Sequence, residues 1–243
     1  MIARCDLVLV STSNPENLGG VARVMENFGV TSALHLVAPR VPPDDHRALV
    51  VGRAALDRLS SARVVGTIAE AVEGASYVVG FSARRGADRP SLGLRRLAAH
   101  LGERAPGGRV ALVFGPEDTG LLREHIEACD VTCVIETPGP LASLNLTQAV
   151  TVALWELSRP GEAAKTEARA GATRAEVEAF LNHAFEALAA IGYLREGEEE
   201  RKRVHLRRVL GASGLSSVEL RGLHGICEQV IRVVGHAREN KES

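Results

Sequence analysis

The stretch "DLVLVSTSNPENLGGVARVMENFGVTSALHLVAP", residues 6–39, contains two apolar runs with a helical segment between them. The runs "DLVLVST" (6–12) and "ALHLVAP" (33–39) are rich in Val and Leu, which is typical of strands buried on both faces of a parallel sheet. The segment between them is long enough for a crossover helix. This stretch therefore predicts a strand–helix–strand unit of an α/β fold.

Four further apolar runs continue this pattern along the first two thirds of the chain. Their alternation with helical segments predicts one α/β domain, a parallel sheet flanked by helices. Ligands of such sheets bind at the carboxyl ends of strands, so the Gly, Pro, Ser and Asn residues that follow the runs indicate where a site would lie. The runs are "ARVVGT" (62–67), "SYVVGFSA" (76–83), "RVALVFGP" (109–116) and "VTCVIET" (131–137).

The composition is that of a globular protein, because 243 residues with 45% apolar content are enough to bury a substantial core. No apolar run reaches the roughly 18 residues that a membrane span needs, and the apolar N-terminal run is too short for a signal peptide, so we expect a cytoplasmic protein. The cysteines form no CxxC pair and the histidines no HxxxH pair, so no metal site is expected. The formal charge of −1 argues against a strongly basic protein that binds nucleic acids nonspecifically, although a local basic face is compatible with it.

A change in composition at "SRPGEAAKTEARAGA" (158–172) indicates a linker, since this segment has little apolar content and contains Pro and Gly. We therefore divide the chain into an α/β domain at residues 1–158, a linker at 159–172 and a helical C-terminal extension at 173–243.

The extension is predicted to contain two amphipathic helices with a basic segment between them. Thr173 with Glu176, and Ser216 with Glu219, fit capping boxes that precede helical periodicity. The basic segment "RKRVHLRR" (201–208) follows the acidic "EGEEE". Its pattern fits a solvated helix with local ion pairs and equally a face that contacts RNA phosphates.

Three loops carry Gly and polar residues that could bind a ligand. Gly permits a close backbone approach, and Arg supplies a planar cation suited to a phosphate. Taken alone, each pattern is also common in turns and at helix starts that bind no ligand. The patterns are Asn17-x-Gly19-x-x-x-Arg23, then Gly115-x-Glu117-x-x-Gly120, and then Ser143-Leu144-Asn145 within "ETPGPLASLNLTQAV" (136–150).

Several common motifs are absent from the sequence. No GxGxxG follows a strand and no GxxxxGK[ST] is present, which argues against dinucleotide-binding dehydrogenases and P-loop kinases. No GxSxG nucleophile motif is present either, which argues against serine hydrolases of the α/β type.

In order and spacing, the three loops resemble the three motifs of the SPOUT RNA ribose 2′-O-methyltransferases. The whole chain is similar to their TrmJ branch, the tRNA (cytidine/uridine) 2′-O-methyltransferases. The similar segments are "LVLVSTSNPENLGGVAR", "VVGFSAR", "ALVFGPEDTGL", "SLNLTQAV", "GYLREG" and "LRRVL".

This resemblance implies a C-terminal trefoil knot in the α/β domain and S-adenosylmethionine as cofactor. It also implies methylation of tRNA, at nucleotide 32 of the anticodon loop, by a homodimer whose active site lies at the subunit interface. The helical extension would recognise tRNA. A single-stranded loop with accessible 2′-hydroxyls is a physically suitable target.

The resemblance further implies roles for individual residues. Arg23, too weak a base to accept a proton, would orient the RNA phosphate and stabilise the forming alkoxide. Asn145 would tie the loops together more than touch substrate. The catalytic residues would be Arg23, Asn17, Glu117 and Ser143; the cofactor-binding residues Phe81, Ser82, Ala83, Gly115, Pro116, Glu117, Ile135, Ala142, Ser143, Leu144 and Asn145; and the RNA-binding residues Arg23, Arg84, Arg201, Lys202, Arg203, Arg207 and Arg208.

Three alternatives remain open at this point. One is a 2′-O-methyltransferase of the same superfamily that acts on rRNA or on another tRNA position. A second is a noncatalytic RNA-binding module. The third is a nucleotide-binding oxidoreductase on an ordinary doubly wound fold. The sequence departs from its relatives at two places, with Phe81 where Thr is common and "GPLA" before Ser143 where an aromatic residue is common. Both departures change the expected rim of the pocket and therefore leave the nucleotide preference open.

Overall fold

A computed structural model describes residues 2–83, 91–141, 143–159, 171–194 and 197–242. Its centre is a sheet of parallel strands. The strands are β1 (Cys5–Val10), β2 (Leu34–Val37), β3 (Arg63–Val65), β4 (Tyr77–Phe81), β5 (Ser91–Gly93), β6 (Val110–Phe114) and β7 (Val131–Val134). Their order across the sheet is β3-β2-β1-β6-β4-β7-β5.

Helices connect the strands and form the C-terminal extension. Those of the α/β part are α1 (Pro15–Asn27), α2 (His46–Val51), α3 (Leu56–Ser60), α4 (Ile68–Val72), α5 (Leu97–Arg104), α6 (Arg123–Glu127) and α7 (Leu146–Ser158). The extension contributes α8 (Arg174–Ala190), α9 (Glu199–Ser213) and α10 (Ser217–Glu242). Short 3-10 helices lie at Ile2–Arg4, Arg53–Ala55 and Leu94–Arg96.

The predicted fold class is confirmed: all six predicted strands are present, and the sheet they form is parallel. β5 was not predicted, because it is a short edge strand whose residues are exposed or only half-buried and form no apolar run. The trefoil knot stays a prediction of the resemblance. Within the described residues, none of the helices combines the length and the apolar character required to cross a membrane.

Alternate side chains of β1 enter two different apolar clusters, one on each face of the sheet. Leu7 and Leu9 pack in a cluster with residues of α1 and α7, while Val8 and Val10 pack in a cluster with residues of α4. Complete burial of each such side chain contributes about 1.5–3 kcal/mol to folding. Because α1 and α7 pack against each other on one face, the loops that precede them lie at the same end of the sheet.

Two glycines of α1 allow this close helix packing. A Cβ at Gly19 would lie less than 3.0 Å from the carbonyl oxygen of Ala48 in α2, and one at Gly20 would lie 2.7 Å from Oγ1 of Thr147 in α7. The sequence suggested that these glycines let a ligand approach the backbone closely. In the structure, helices α2 and α7 make this close approach. Both glycines fix the position of α1, and with it Asn17 in the first turn of this helix.

The extension has an apolar cluster of its own, formed by residues such as Phe180, Leu181 and Leu220 from α8 and α10. Both predicted capping boxes are confirmed. The Glu176 carboxylate accepts a hydrogen bond from the backbone N–H of Thr173 at 2.7 Å, and that of Glu219 accepts one from Ser216 at 2.7 Å. Most of the predicted linker, residues 160–170, lies outside the described residues.

A buried ion pair joins the extension to the α/β part. The Arg174 guanidinium at the start of α8 donates hydrogen bonds to the Asp130 carboxylate at 2.8 Å and to the Ala128 carbonyl oxygen at 2.9 Å. Asp130 also accepts a hydrogen bond from the backbone N–H of Val78 at 2.8 Å. Desolvation raises the pKa of Asp130, and the Arg174 charge opposes that effect.

Candidate active site

A cavity of about 280 Å³ lies at the carboxyl ends of the three neighbouring strands β6, β4 and β7. The rings of Phe81 and Phe114, at the ends of β4 and β6, both line it and stack nearly parallel with their centroids 4.3 Å apart. Both side chains are buried. This is the place where parallel α/β sheets bind their ligands.

Nine of the predicted cofactor-binding residues line this cavity. Asn145 does not line it, and Ala142 lies outside the described residues. The nine are Phe81, Ser82, Ala83, Gly115, Pro116, Glu117, Ile135, Ser143 and Leu144, and the cavity is completed by Phe114, Asp118, Thr119, Gly120, Leu121, Leu146 and Ala149.

The loop after β6 is a tight turn that only glycine permits at two positions. Gly120 has φ +66°, and its N–H donates to the Pro116 carbonyl oxygen at 2.8 Å. A Cβ at Gly115 would lie less than 3.0 Å from the backbone of Gly120 and Leu121. The turn therefore brings the carboxylate of Glu117 to the edge of the cavity.

A hydrogen-bond network joins the three predicted motifs. The Asn17 side-chain amide donates to Oε1 of Glu117, and Ser13 Oγ donates to Oε2 of Glu117 at 3.4 Å. Asn145 Nδ2 donates to Asn17 Oδ1 at 2.9 Å, while Asn145 Oδ1 accepts from the Thr147 backbone N–H at 2.9 Å and caps α7. Asn145 therefore ties the loops together instead of lining the cavity.

An ion pair with Asp118 also holds the loop after β6 in place. The Arg40 guanidinium, in the loop after β2, forms an ion pair with Asp118 at 3.3 Å. Desolvation, which raises the pKa of Asp118, is outweighed by hydrogen bonds from Arg40 and from the Thr119 backbone N–H, so this pKa lies below its usual value. No motif marked Arg40 in the sequence, because its partner lies 78 positions away.

Two non-glycine residues with left-handed backbone end the strands that precede these contacts. Ser11 has φ 49° at the end of β1, and Ala38 has φ 42° at the end of β2. This conformation costs about 1–2 kcal/mol for residues other than glycine. It turns the chain toward Ser13 and Arg40, which contact Glu117 and Asp118. Such strained residues are frequent at functional sites.

Arg23 does not contribute to the cavity as the structure describes it. Arg23 is exposed on the outer face of α1 and is absent from the cavity lining. Arg84 lies outside the described residues. Ser143, by contrast, is exposed at the edge of the cavity and lines it.

The basic residues of α9 have polar partners but differ in exposure. Lys202 pairs with Glu198 at 2.8 Å. Arg203 donates to Asn182 at 2.7 Å and pairs with Glu199 at 3.4 Å. Arg207 binds both carboxylate oxygens of Glu178, one of them at 3.0 Å. For these three, the interpretation as a helix with local ion pairs is confirmed. Arg201 pairs with Glu198 at 3.6 Å and Arg208 contacts the His205 ring at 3.5 Å, but both residues are exposed.

The family model of the SpoU rRNA Methylase family matches residues 4–155, which include all three motifs. The chain is 36% identical over 248 residues, covering 96% of each chain, to the Pseudomonas aeruginosa protein named tRNA (cytidine/uridine/adenosine-2′-O-)-methyltransferase TrmJ. It is 34% identical over 238 residues, 95% of this chain and 96% of the relative, to tRNA (cytidine/uridine-2′-O-)-methyltransferase TrmJ of Escherichia coli strain K12.

Solved structures agree with these sequence relatives. The crystal structure of TrmJ from Z. mobilis ZM4 matches with a TM-score of 0.76 and 31% identity over 93% of this chain and 98% of that one. A structure described as giving insights into the 2-OH methylation of C/U34 on tRNA matches with a TM-score of 0.51 and 30% identity, over 63% of this chain and 93% of that one. The chain therefore belongs to the SpoU rRNA Methylase family, where its full-length similarity is to the TrmJ proteins.

Proposed function

We propose that this protein is a cytoplasmic tRNA 2′-O-ribose methyltransferase that uses S-adenosylmethionine to methylate a cytidine or uridine at nucleotide 32 of the anticodon loop. The observation that carries the proposal is the network of Asn17, Glu117 and Asn145, which joins three motifs at the edge of one cavity. Similarity to TrmJ proteins over 96% of the chain supports tRNA as substrate.

The residues around the cavity fit S-adenosylmethionine. Apolar Ile135, Leu144 and Leu146 suit a flat adenine, while the Ser82 hydroxyl and the backbone of the turn at residues 115–120 suit the ribose and the methionine group. Gly115 and Gly120 leave room where side chains would fill the space. When bound, the cofactor supplies a methyl group that is already activated by the positive sulfonium.

The protein's part in the reaction is then mainly positioning and charge stabilisation. Arg23, whose guanidinium is a planar cation, would hold the RNA phosphate and stabilise the developing alkoxide. Glu117 is fixed by Asn17 and Ser13, so its carboxylate has a defined direction at the cavity edge. The 2′-hydroxyl proton would leave through Ser143, Glu117 or water.

A homodimer explains why Arg23 lies outside the cavity of its own chain. On α7, which packs against α1, Gln148, Val152 and Trp155 lie at i, i+4 and i+7 and are exposed, Trp155 at 60%. A large exposed aromatic beside an aliphatic side chain is typical of an interface core. We propose that two chains associate through this face and that Arg23 reaches the partner's cavity.

The test is to incubate the protein with S-adenosylmethionine and unmodified tRNA transcripts, and to map new 2′-O-methyl groups by nuclease digestion and mass spectrometry. A single methyl group at nucleotide 32 is the expected result. Calorimetry with S-adenosylhomocysteine and with NADH separates the methyltransferase from the oxidoreductase alternative. A protein that binds S-adenosylhomocysteine but methylates neither tRNA nor rRNA would contradict the proposed activity and favour a noncatalytic RNA-binding module.

Methylation at nucleotide 34 is the second candidate, because one similar structure is described by that reaction. That match covers 63% of this chain, whereas the TrmJ similarity covers 96% and so includes the helical extension. We propose that residues 173–243 form a separate tRNA-recognition unit, and that the resemblance to the TrmJ branch, which includes this unit, favours nucleotide 32. The same mapping experiment distinguishes the two positions.

A further inference from the structure

The extension contains a second cavity, of about 450 Å³, far along the chain from the three motifs. Its volume lies within the roughly 300–1,000 Å³ range of small-molecule sites. The walls are apolar, formed by Leu188, Tyr193 and Leu206, and the rim is basic. The rim residues are Arg201, Lys202 and His205.

Tyr193 is placed in this cavity by the way in which α8 ends. Gly192 has φ +73°, and its N–H donates to the Ala189 carbonyl oxygen at 3.0 Å, while the Tyr193 N–H donates to the Leu188 carbonyl oxygen at 3.0 Å. These two bonds form a Schellman motif, in which the residue after the glycine packs on the last turn of the helix. Tyr193 and Leu188 accordingly line the same cavity.

Lys202 holds the exposed ring in position. Its Nζ lies 4.3 Å from the centroid of the Tyr193 ring, donates to the Tyr193 carbonyl oxygen at 3.3 Å and pairs with Glu198 at 2.8 Å. Tyr193 is nevertheless 58% exposed. A fixed, exposed aromatic surface is prepared for a flat partner, because little conformational freedom is lost when that partner stacks.

The charge beside the cavity favours a polyanion. Arg201, His205 and Arg208 lie at i, i+4 and i+7 and are all exposed on one face of α9. The Arg201 side chain pairs with Glu198 at 3.6 Å and is still 81% exposed. Arg201 and His205 line both this cavity and a neighbouring one of about 130 Å³, which Arg208 also lines together with Glu127 and Asp130. The exposed basic row therefore runs along the edge of the apolar cavity.

We propose that this cavity binds an unstacked nucleobase of the tRNA, with the base against Tyr193 and neighbouring phosphates on Arg201 and Arg208. The inference rests on the proposed function, since it takes tRNA as the substrate. Aromatic stacking combined with basic groups is how proteins hold single-stranded nucleotides. The site lies outside the cofactor cavity and acts on affinity for RNA.

The test measures the Kd for an unmodified tRNA transcript and, separately, for S-adenosylhomocysteine, with full-length protein. Tyr193→Ala should weaken tRNA binding about tenfold, because base–aromatic stacking is lost. Tyr193→Leu keeps an apolar contact with Leu188 but has no stacking face, so it should weaken tRNA binding as much as Tyr193→Ala does. Tyr193→Phe keeps the stacking face and should bind tRNA within about twofold of the unmodified protein. Ile191→Ala is the matched control, since Ile191 is 54% exposed on the same turn and does not line the cavity.

Salt titration tests the phosphate contact separately. Arg201→Gln should reduce the slope of log Kd against log salt by about one. The inference is overturned if Tyr193→Ala and Tyr193→Leu bind tRNA as tightly as the unmodified protein, or if Ile191→Ala weakens binding equally. If the unmodified protein methylates tRNA while these variants bind normally, this inference alone fails. If the unmodified protein neither binds nor methylates tRNA, the proposed function fails with it.

Discussion

The side-chain amide of Asn17 donates a hydrogen bond to the carboxylate of Glu117, 100 positions further along the chain. The oxygen of the same amide accepts a hydrogen bond from Asn145 at 2.9 Å. Asn17 thus uses its donor toward one motif and its acceptor toward the other. Because no carboxylate could fill both roles beside Glu117, the network defines which residue type is required at position 17.

Asn17→Asp should disrupt the cofactor cavity while changing almost no volume. It replaces the N–H donor by an oxygen, so two carboxylates face each other across a contact that now holds a hydrogen bond. Like charges at this distance disfavour each other strongly. We expect the affinity for S-adenosylhomocysteine, measured by calorimetry, to fall about tenfold or more, since an unsatisfied or repelled polar group costs about 1–3 kcal/mol.

A second substitution provides the control for this experiment. Glu117→Gln in the Asn17→Asp background restores a donor–acceptor pair, because the new amide donates to the new carboxylate. Affinity for S-adenosylhomocysteine should then recover. Equal weakness of the single and double variants would show that this contact does not position the loop. Methyl transfer reports separately on whether the Glu117 carboxylate takes part in proton removal.

Arg23→Ala should lower methyl transfer by about 100-fold or more and leave S-adenosylhomocysteine binding unchanged. Arg23 does not line the cavity of its own chain, so under the proposed role its loss would remove charge stabilisation and not cofactor contacts. Single-turnover transfer and calorimetry measure the two effects. Arg123→Ala, at a side chain that is 93% exposed on α6, is the matched control. Loss of cofactor binding in Arg23→Ala would contradict this role.

Mixing subunits tests whether the active site is shared. If Arg23 acts on the partner's cavity, a heterodimer of an Arg23→Ala chain and a Glu117→Ala chain contains one complete site. Random reassembly of the two inactive proteins should then recover about a quarter of the normal rate, as statistical pairing in a twofold dimer requires. Mixtures that stay inactive, although size exclusion shows exchanged dimers, would place each Arg23 with its own cavity.

The sequence predicted the parts of the site that lie in local patterns. The strands ending at Phe81 and Phe114 follow from apolar runs, and they bring the three motifs to one end of the sheet. Arg40 and Ser13 were missed because their roles arise only from contacts across the fold. A sequence pattern shows which residues are polar but not which distant loop they meet.

The sequence did not show that the glycines of α1 contact neighbouring helices, because these contacts also arise only in the folded structure. Gly19→Ala should destabilise the protein by about 1–3 kcal/mol, because the new methyl group would collide with the backbone carbonyl of Ala48, which cannot rotate away. The midpoint of urea unfolding measures this. Gly222→Ala, on an exposed part of α10 with no atom within 4 Å of the new Cβ, should instead stabilise by up to about 1 kcal/mol. Equal effects of the two substitutions would contradict the packing argument.

The ion pair between Arg174 and Asp130 should be the main polar attachment of the extension. Their side chains are 9% and 2% exposed, so Arg174→Met leaves a buried carboxylate without its cation and should cost about 3–5 kcal/mol in the free energy of unfolding. Adding Asp130→Asn should recover part of that loss. Arg63→Met, which breaks the exposed pair with Glu73, should cost less than about 1 kcal/mol. A similar cost for both pairs would contradict the difference in burial.

One buried and one half-buried histidine, His35 and His100, should make the protein less stable as the pH falls below neutrality. His35 on β2 is 6% exposed, and within the described residues its Nδ1 has no hydrogen-bond partner. Desolvation lowers its pKa from the usual 6.5, with Asp6 opposing and the cation of Arg63 adding to the effect. The unfolded chain therefore binds more protons than the folded one between the lowered pKa and 6.5, and stability falls as the pH drops through that window.

Urea unfolding between pH 8 and pH 5 measures this dependence. The free energy of unfolding should be constant above about pH 7 and should decline below it. His35→Leu should reduce the slope. It should not abolish it, because desolvation also lowers the pKa of His100, whose ring is hydrogen-bonded to the Tyr77 hydroxyl at 2.8 Å. An unchanged slope in His35→Leu would mean that His35 takes up its proton equally well in the folded and the unfolded protein.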